Sequence, residues 1–254
     1  KFLFVSLRGY YKSFLKSKSK IVDKSKIQFN EEIFKKLGIN LENLRLSLQN
    51  FNIDFEDCSV SWHYHLFIAI DQIFKQKKIN VKNILEIGTY KGEFTNFISK
   101  FYSDANIQTI DLPDDDPIFN STYGRDNKNF KEKFLAERNK NLLSSNINFT
   151  KIDSTNLLKK FENVKFDIIW IDGDHRNPQV TMDIINSIQL THNKSIICVD
   201  DICMENYKTE YFSSESYITL QKLERNKILK NNFIFKRTNL NQKYIKFISF
   251  STKT

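Results

Sequence analysis

The fold is decided by residues 83–95, which read Asn83-Ile84-Leu85-Glu86-Ile87-Gly88-Thr89-Tyr90-Lys91-Gly92-Glu93-Phe94-Thr95. The apolar run 84–87 predicts a short buried strand, and the two glycines after it predict a tight turn. From Glu93 onward, apolar residues recur at helical spacing. A strand, a glycine turn and a helix form the first half of a nucleotide-type binding unit. Glycine lets the backbone approach a ligand, and the helix N-terminus presents free N–H groups.

The spacing of the glycines separates this turn from a dinucleotide site. A dinucleotide fingerprint is G-x-G-x-x-G, whereas the pattern here is Glu-x-Gly-x-x-x-Gly. This pattern resembles motif I of the class I S-adenosylmethionine (SAM) methyltransferases, whose loop wraps the methionine part of the cofactor. The resemblance implies a cofactor-binding set made of Glu86, Gly88, Thr89, Tyr90 and Gly92. An ordinary strand-to-helix turn is the alternative.

The composition is that of a globular protein. The 254 residues suffice for one α/β domain with an extension, and the hydrophobic fraction of 40% excludes a disordered chain. No apolar run approaches the roughly 18 residues of a membrane span. Cys58, Cys198 and Cys203 contain no CxxC pair, so they predict neither a disulfide framework nor a zinc site and fit a reducing cytoplasm. The first residue is Lys1, which leaves open a preceding segment with a targeting signal.

The formal net charge of +9 has two interpretations. It can indicate a surface that binds nucleic acid or another polyanion. It can also reflect solvated lysines spread over the surface. The basic residues lie mainly near the two ends of the chain, and those near the C-terminal end are Lys227, Lys230, Lys236, Arg237, Lys243 and Lys246. This spread favours a solvated surface.

Residues 1–80 are predicted to form an N-terminal helical extension, and residues 81–254 the SAM-binding domain. Within 1–26 we expect an amphipathic helix and a Ser/Lys-rich linker. The helix would pack on its own domain or on a twin subunit, giving a homodimer, and a membrane surface is the alternative. Further helices are predicted within 30–56, the first ending at Gly38, and over 61–78. His63 and His65 cannot share a helical face, so we expect one to be packed and one exposed.

From residue 83 the predicted strands alternate with helices. The strands are 84–87, 107–110, 147–152, 166–171 and 195–199, the helices are about 127–144, 180–188 and 215–230, and two last strands, 233–236 and 244–250, form a hairpin. The alternation predicts a parallel sheet covered on both faces. A closing hairpin makes the last strand antiparallel. This arrangement is similar to the Rossmann-like class I methyltransferase fold, an α/β fold with a seven-stranded, mostly parallel sheet whose strand 7 is antiparallel.

Five successive predicted strands are followed by glycine or aspartate: Gly88, Asp111, Asp153, Asp172 and Asp200. The carboxyl ends of parallel strands meet at one edge, where ligands bind. Asp111 lies where a Rossmann-like fold places an acid on ribose hydroxyls. Asp153 and Ser154 are predicted to bind the adenine amino group, and Glu86 to accept from loop N–H groups or the cofactor ammonium. Taken singly, each aspartate is as readily a helix cap or turn residue.

The segment Asp172-Gly173-Asp174-His175 resembles an Asp-Gly-x-His motif of many small-molecule and sugar O-methyltransferases. In the catechol-type and macrolide-sugar enzymes, an Asp after strand 4 and an acidic pair after strand 5 hold Mg²⁺. The matching residues here are Asp172, Asp200 and Asp201, and carboxylates suit a hard cation. The resemblance thus implies a Mg²⁺ site that would lower the pKa of a substrate hydroxyl. A plain turn at the acidic pair and a metal-free site are the alternatives.

His175 stands where the catechol-type enzymes carry a lysine base. The resemblance implies a catalytic pair, His175 and Asp172, in which a neutral imidazole accepts the hydroxyl proton. Asp172 also belongs to the predicted cofactor-binding set. A loop histidine that orients Asp172 or caps the next helix is the alternative.

These features predict a SAM-dependent O-methyltransferase that acts on a small hydroxylated acceptor such as a sugar, a glycan precursor or another metabolite. A nucleic-acid methyltransferase is the first alternative. Amino-methylating enzymes of that kind show Asn/Asp-Pro-Pro-aromatic after strand 4, which is absent here, and no cysteine adjoins a proline as the cytosine C5 enzymes require. A nicotinamide-dependent dehydrogenase has the wrong glycine spacing. A non-catalytic module that retains the fold is the last alternative.

Overall fold

The computed structural model describes residues 20–205, 213–238 and 244–254, and within these ranges seven strands alternate with helices. The strands are β1 (Asn83–Ile87), β2 (Asn106–Asp111), β3 (Ile147–Lys151), β4 (Phe166–Ile171), β5 (Thr191–Ile202), β6 (Leu229–Phe235) and β7 (Phe247–Lys253). The helices are α1 (Lys24–Lys36), α2 (Leu41–Gln49), α3 (His63–Gln76), α4 (Glu93–Phe101), α5 (Pro117–Ser121), α6 (Lys128–Asn141), α7 (Leu157–Lys160), α8 (Gln179–Gln189) and α9 (Glu215–Arg225).

The strands form one sheet in the order β3-β2-β1-β4-β5-β7-β6. Strands β1 to β5 are parallel, and β7 lies antiparallel between β5 and β6. The predicted fold class, including the antiparallel strand 7, is confirmed. All carboxyl ends of β1 to β5 therefore face the same edge of the sheet.

Successive side chains of the central strands pack alternately into two apolar cores, one on each face of the sheet. Ile168 and Trp170 of β4 face the core that also contains α1 to α4. Ile169 and Ile171 face the core of the opposite side, with residues of α7, α8 and α9. All six residues of β4 are buried, which is why a continuous apolar run marks it in the sequence. The N-terminal helices thus share one core with the sheet, and the domain boundary at residue 80 stays a prediction.

Several predicted boundaries were wrong. β5 extends to Ile202, so Asp200 and Asp201 belong to the strand and do not follow it, because β7 pairs with this segment. The last helix ends at Arg225, and β6 starts at Leu229. His65 is fully buried and His63 is half-buried with both ring nitrogens enclosed, so neither is the exposed histidine we expected.

The N-terminal layer is hydrogen-bonded to the end of β6. The Asn30 amide donates to the carbonyl of Phe235 over 3.1 Å and accepts from its N–H over 2.7 Å. The N–H of Trp62 donates to the carbonyl of Lys236 over 2.8 Å. Residues 1–19 of the predicted segment 1–26 lie outside the described residues. Residues 239–243 of the hairpin connection also lie outside them. In the described ranges, no helix is long and apolar enough to cross a membrane.

Candidate active site

The loop after β1 has a backbone that depends on glycine. Gly88 has φ of +98°, and a Cβ there would lie 2.2 Å from the carbonyl oxygen of Asp172. Gly92 begins α4 with φ of +71°, and a Cβ there would lie 2.9 Å from a methyl carbon of Leu142. Both positions favour glycine for conformation and for space. The first packs the loop against the end of β4, and the second packs it against the end of α6.

The predicted set also includes Thr89 and Tyr90, and the structure places them on opposite sides of this loop. Thr89 is buried, with its hydroxyl 2.6 Å from that of Thr109. Tyr90 has a left-handed φ of 49° and is 42% exposed. Its ring packs edge-on against those of Tyr123 and Phe134. The aromatic surface of Tyr90 is thus presented at the open side of the loop.

Asp111 connects the end of β2 to this loop. One carboxylate oxygen accepts from the N–H of Tyr90 over 2.9 Å, and the other accepts from the N–H of Leu112 over 2.8 Å. Burial raises the pKa of Asp111, although both N–H groups lower it. A carboxylate has about four lone-pair sites, so two remain for ligand hydroxyls. The role of Asp111 on ribose stays a prediction, with a position that suits it.

Glu86 is enclosed under the loop. One of its oxygens accepts from the hydroxyls of Thr95 and Thr109 over 2.5 and 2.6 Å. Burial raises the pKa of Glu86 to about 8, against the effect of both hydroxyls. In the described part of the chain its partners are therefore threonine hydroxyls and not the loop N–H groups we expected. Glu86 thus connects β1 to α4 and β2 through these two hydroxyls.

The end of β3 is connected to α8 through polar side chains. Asp153 accepts from the N–H of Thr155 over 2.8 Å, so it caps the short turn that follows β3. Ser154 accepts from the amide of Gln179 over 2.5 Å, and the same amide donates to Asp183 over 2.9 Å. Burial raises the pKa of Asp183 to about 6, although contacts with Ser154 and Gln179 lower it. In the sequence Asp183 is marked only as an acid on the apolar face of a helix, and this signal was not enough to predict it.

His175 lies against two carboxylates. Its Nε2 is 3.5 Å from Oδ1 of Asp172 and 3.9 Å from Oδ2 of Asp201, and its side chain is 24% exposed. Burial would lower the pKa of His175, but the contact with Asp172 and the charge of Asp201 raise it above the ordinary value. Nδ1 is enclosed and has no hydrogen-bond partner in the described residues. The pair His175 and Asp172 is thus brought together as predicted.

The acidic pair of β5 contacts lysines. The ammonium of Lys236 contacts Oδ2 of Asp200 and Oδ1 of Asp201, and that of Lys246 contacts Oδ2 of Asp201. Burial raises the pKa of Asp200 to about 7, which the charge of Lys236 opposes. Burial also acts on Asp201, but the charges of Lys236, His175 and Lys246 hold the pKa of Asp201 well below its usual range. We call Asp200, Asp201, Lys236 and Lys246 the lysine clamp.

The predicted Mg²⁺ site of Asp172, Asp200 and Asp201 does not fit this geometry. No group of three or more His, Cys, Asp or Glu side chains that could hold a metal ion exists in the described ranges. The ammonium of Lys236 lies between the two carboxylates that a cation would have to join. Lys236 is also buried, so its assignment to a solvated surface was wrong. Lys236 follows β6 and lies opposite Lys246 across the hairpin. The N–H of Lys236 donates to the carbonyl of Lys246 over 3.0 Å.

His63 reaches the same region from the start of α3. Its ring lies 4.2 Å from that of Phe94 and 5.8 Å from that of Trp170, measured between centroids. Burial lowers the pKa of His63 well below its ordinary value, and the charge of Lys236 adds to this. Both ring nitrogens and the indole nitrogen of Trp170 lack hydrogen-bond partners in the described part of the chain. Because these atoms are enclosed, a hydroxylated ligand can bind to them only after neighbouring side chains move.

The fold and the arrangement of this site resemble those of class I SAM-dependent methyltransferases, and the comparisons with known proteins agree. Residues 85–202 match the model of a methyltransferase domain family. Since these residues contain the glycine loop, Asp111 and the His175 segment, the match covers most of the candidate site. The match is thus to a methyltransferase domain, and it supports SAM-dependent methyl transfer. No curated protein sequence matches the chain significantly.

Solved structures with the same fold include two O-methyltransferases with bound cofactor or product. The O-methyltransferase from Bacillus cereus in complex with SAH is 14% identical, with a TM-score of 0.54 over 96% of this chain and 97% of that chain. The O-methyltransferase TomG from Streptomyces achromogenes, involved in tomaymycin synthesis and in complex with SAM, is 12% identical, with a TM-score of 0.53 over 96% of each chain. At this identity the likeness shows the fold alone.

Proposed function

We propose that the protein transfers the methyl group of SAM to a hydroxyl of a small acceptor such as a sugar, a glycan precursor or another metabolite. The observation that carries the proposal is the position of Asp172. Its carbonyl oxygen abuts Gly88 of the cofactor loop, and its carboxylate lies 3.5 Å from Nε2 of His175. One residue thus links the predicted cofactor site to the predicted base. Motif resemblance and the O-methyltransferase neighbours support the same reaction.

The residues present fit SAM as a bound group. Left-handed backbone at Gly88, Tyr90 and Gly92 lets the loop pass close to a ligand, and Asp111 keeps lone pairs free beside it. Bound SAM supplies a methyl group on a positively charged sulfur, open to in-line attack by an oxygen.

Within this site His175 takes the acceptor proton. When Nε2–H faces Asp172, the carboxylate selects the tautomer whose Nδ1 is the accepting nitrogen, as in other histidine–carboxylate pairs. Nδ1, which is enclosed and has no partner in the described ranges, then receives the hydroxyl proton once the side chains around it have moved to admit the acceptor. His63 and the indole N–H of Trp170 are proposed to orient the acceptor. The proposal contains no Mg²⁺, since Lys236 and Lys246 already neutralise the carboxylates.

The proposal is tested by calorimetry with SAM, followed by incubation of labelled SAM with hydroxylated sugars, with phenols and, separately, with RNA. We expect SAM binding and label in a hydroxylated small molecule. Label in RNA would favour the nucleic-acid alternative suggested by the charge of +9. No SAM binding would favour a non-catalytic module. His175→Asn should leave SAM affinity intact and lower turnover by about 10²–10⁴-fold. His192→Asn is the control: His192 lies at the start of β5, far along the strand from Asp201, so turnover should not fall.

Two further predictions accompany this function. Three free, buried cysteines suit a reducing compartment, so we place the reaction in the cytoplasm. A homodimer through the N-terminal helices stays a prediction, which light scattering of the full chain would test.

A further inference from the structure

The lysine clamp is the feature of this molecule that the proposed reaction does not use. Lys236 has only 7% of its side chain exposed, and Asp200 has 1%. Burying charges is unfavourable unless they are paired, so the buried ammonium of Lys236 needs both Asp200, which is buried, and Asp201, whose side chain is 17% exposed. Asp200 Oδ1 has no hydrogen-bond partner in the described residues, so the contact with Lys236 is what compensates this carboxylate.

The backbone is shaped to make this contact. Consecutive residues of a strand normally point to opposite faces of the sheet. Here the β5–β7 register shifts between Val199 and Ile202, and Asp201 has a left-handed φ of 52°. Such a bulge re-aims one side chain, and it allows Asp200 and Asp201 to contact the same ammonium. A non-glycine residue in this conformation is strained, so the surrounding contacts have to hold it.

The charges around these carboxylates also disfavour a bound divalent cation. Three carboxylates, of Asp172, Asp200 and Asp201, meet two ammonium groups, of Lys236 and Lys246, and the imidazole of His175. A divalent cation would have to enter beside two fixed positive charges and displace at least one of them. The ammonium of Lys236 already contacts one oxygen from each carboxylate of the acidic pair.

We infer that Lys236 is a built-in cation that takes the place of a divalent metal in this carboxylate cluster. It excludes metal from the site and holds Asp201 against His175. The exclusion of metal is independent of the proposed methyl transfer. The positioning of Asp201 for catalysis rests on that function.

The inference is tested by titrating the full chain with Mn²⁺ and following free Mn²⁺ by electron paramagnetic resonance. The wild type and Asp201→Asn should give the same trace, because no ion binds at the clamp. Lys236→Met removes the ammonium and keeps the length of the side chain. It should bind Mn²⁺ at least about tenfold more tightly than the wild type, and Lys236→Met with Asp201→Asn should lose this gain.

Wild-type Mn²⁺ binding that Asp201→Asn abolishes would overturn the inference. A folded Lys236→Met protein with no gain in Mn²⁺ affinity would overturn it as well. If Lys236→Met does not fold, the comparison of wild type with Asp201→Asn decides. Lys246→Met then tests whether removing a lysine of the clamp raises the affinity for Mn²⁺, at a side chain that is 18% exposed. None of these measurements uses SAM, so they are distinct from a failure of the proposed methyl transfer.

Discussion

The carbonyl oxygen of Asp172 lies 2.2 Å from the position that a Cβ on Gly88 would take. The glycine of the cofactor loop is therefore required by the neighbouring strand end, and not by the methionine part of SAM alone. A side chain at residue 88 has to move the segment that carries both Asp172 and His175.

Gly88→Ala should therefore lower stability as well as SAM affinity. We expect a loss of roughly 2–5 kcal/mol in the free energy of unfolding, from the left-handed backbone and the backbone collision together. Gly173→Ala is the matched control. Its Cβ would meet its nearest atom at 3.6 Å, an ordinary contact, so the change should stay within about 1 kcal/mol. Urea unfolding measures both. Equal effects of the two substitutions would contradict the assigned role of Gly88.

Asp111→Asn should weaken SAM binding by roughly 1–3 kcal/mol, the range expected for lost charge-assisted hydrogen bonds. The substitution keeps the volume and alters the carboxylate that the N–H groups of Tyr90 and Leu112 hold in place. Calorimetry with SAM measures the effect, and Asp104→Asn at an exposed position is the control. Unchanged SAM affinity in Asp111→Asn would remove Asp111 from the cofactor site.

Glu86 should make stability fall as the pH rises. Its pKa is raised by burial from an ordinary 4.5 to about 8 in the folded protein. Between these values the folded state binds more protons at Glu86 than the unfolded state, so the contribution of Glu86 to stability is greatest below pH 4.5 and declines up to about pH 8. Glu86→Gln should remove a decline on the order of 3–5 kcal/mol. Chemical unfolding of both proteins across this range tests it, and parallel curves would show that Glu86 does not titrate there.

The acid limb of the pH–rate profile should report His175. If neutral His175 is the base, kcat/KM rises as the pH increases through its pKa, which the charge of Asp201 raises. Asp201→Asn should shift this limb to lower pH, because it removes one of the negative charges that raise the pKa of His175. The His175 ring resonances in an NMR titration should shift in the same direction. A limb that stays in place while the His175 resonances move would exclude His175 as the base.

The sequence predicts the sheet well where the signal is local. β4 has the predicted bounds, because a run of buried apolar residues marks a central strand wherever it stands. β5 was predicted too short, since its last residues are strand only by pairing with β7, which lies some fifty residues later. The pairing of Asp172 with His175 was expected from the resemblance of residues 172–175 to an Asp-Gly-x-His motif.

The lysine clamp could not be predicted in the same way. Lys236 and Lys246 meet Asp200 and Asp201 through the pairing of three strands and one bulge, and none of these is visible in a local pattern. A lysine in the sequence looks like a surface residue until the sheet places it against a buried acid. The sequence therefore located the acidic cluster but not the lysine ammonium that lies between two of its carboxylates.

The amide of Asn30 has a consequence for behaviour at high concentration. β6 is the last strand of the sheet, and a free strand edge is a template on which other molecules can add strands. The Asn30 side-chain amide donates to the carbonyl of Phe235 and accepts from the N–H of the same residue. It therefore occupies the backbone groups of Phe235 that a neighbouring strand would otherwise pair with. The N-terminal helices thus close the Phe235 end of this edge, and removing them should leave that end open to added strands.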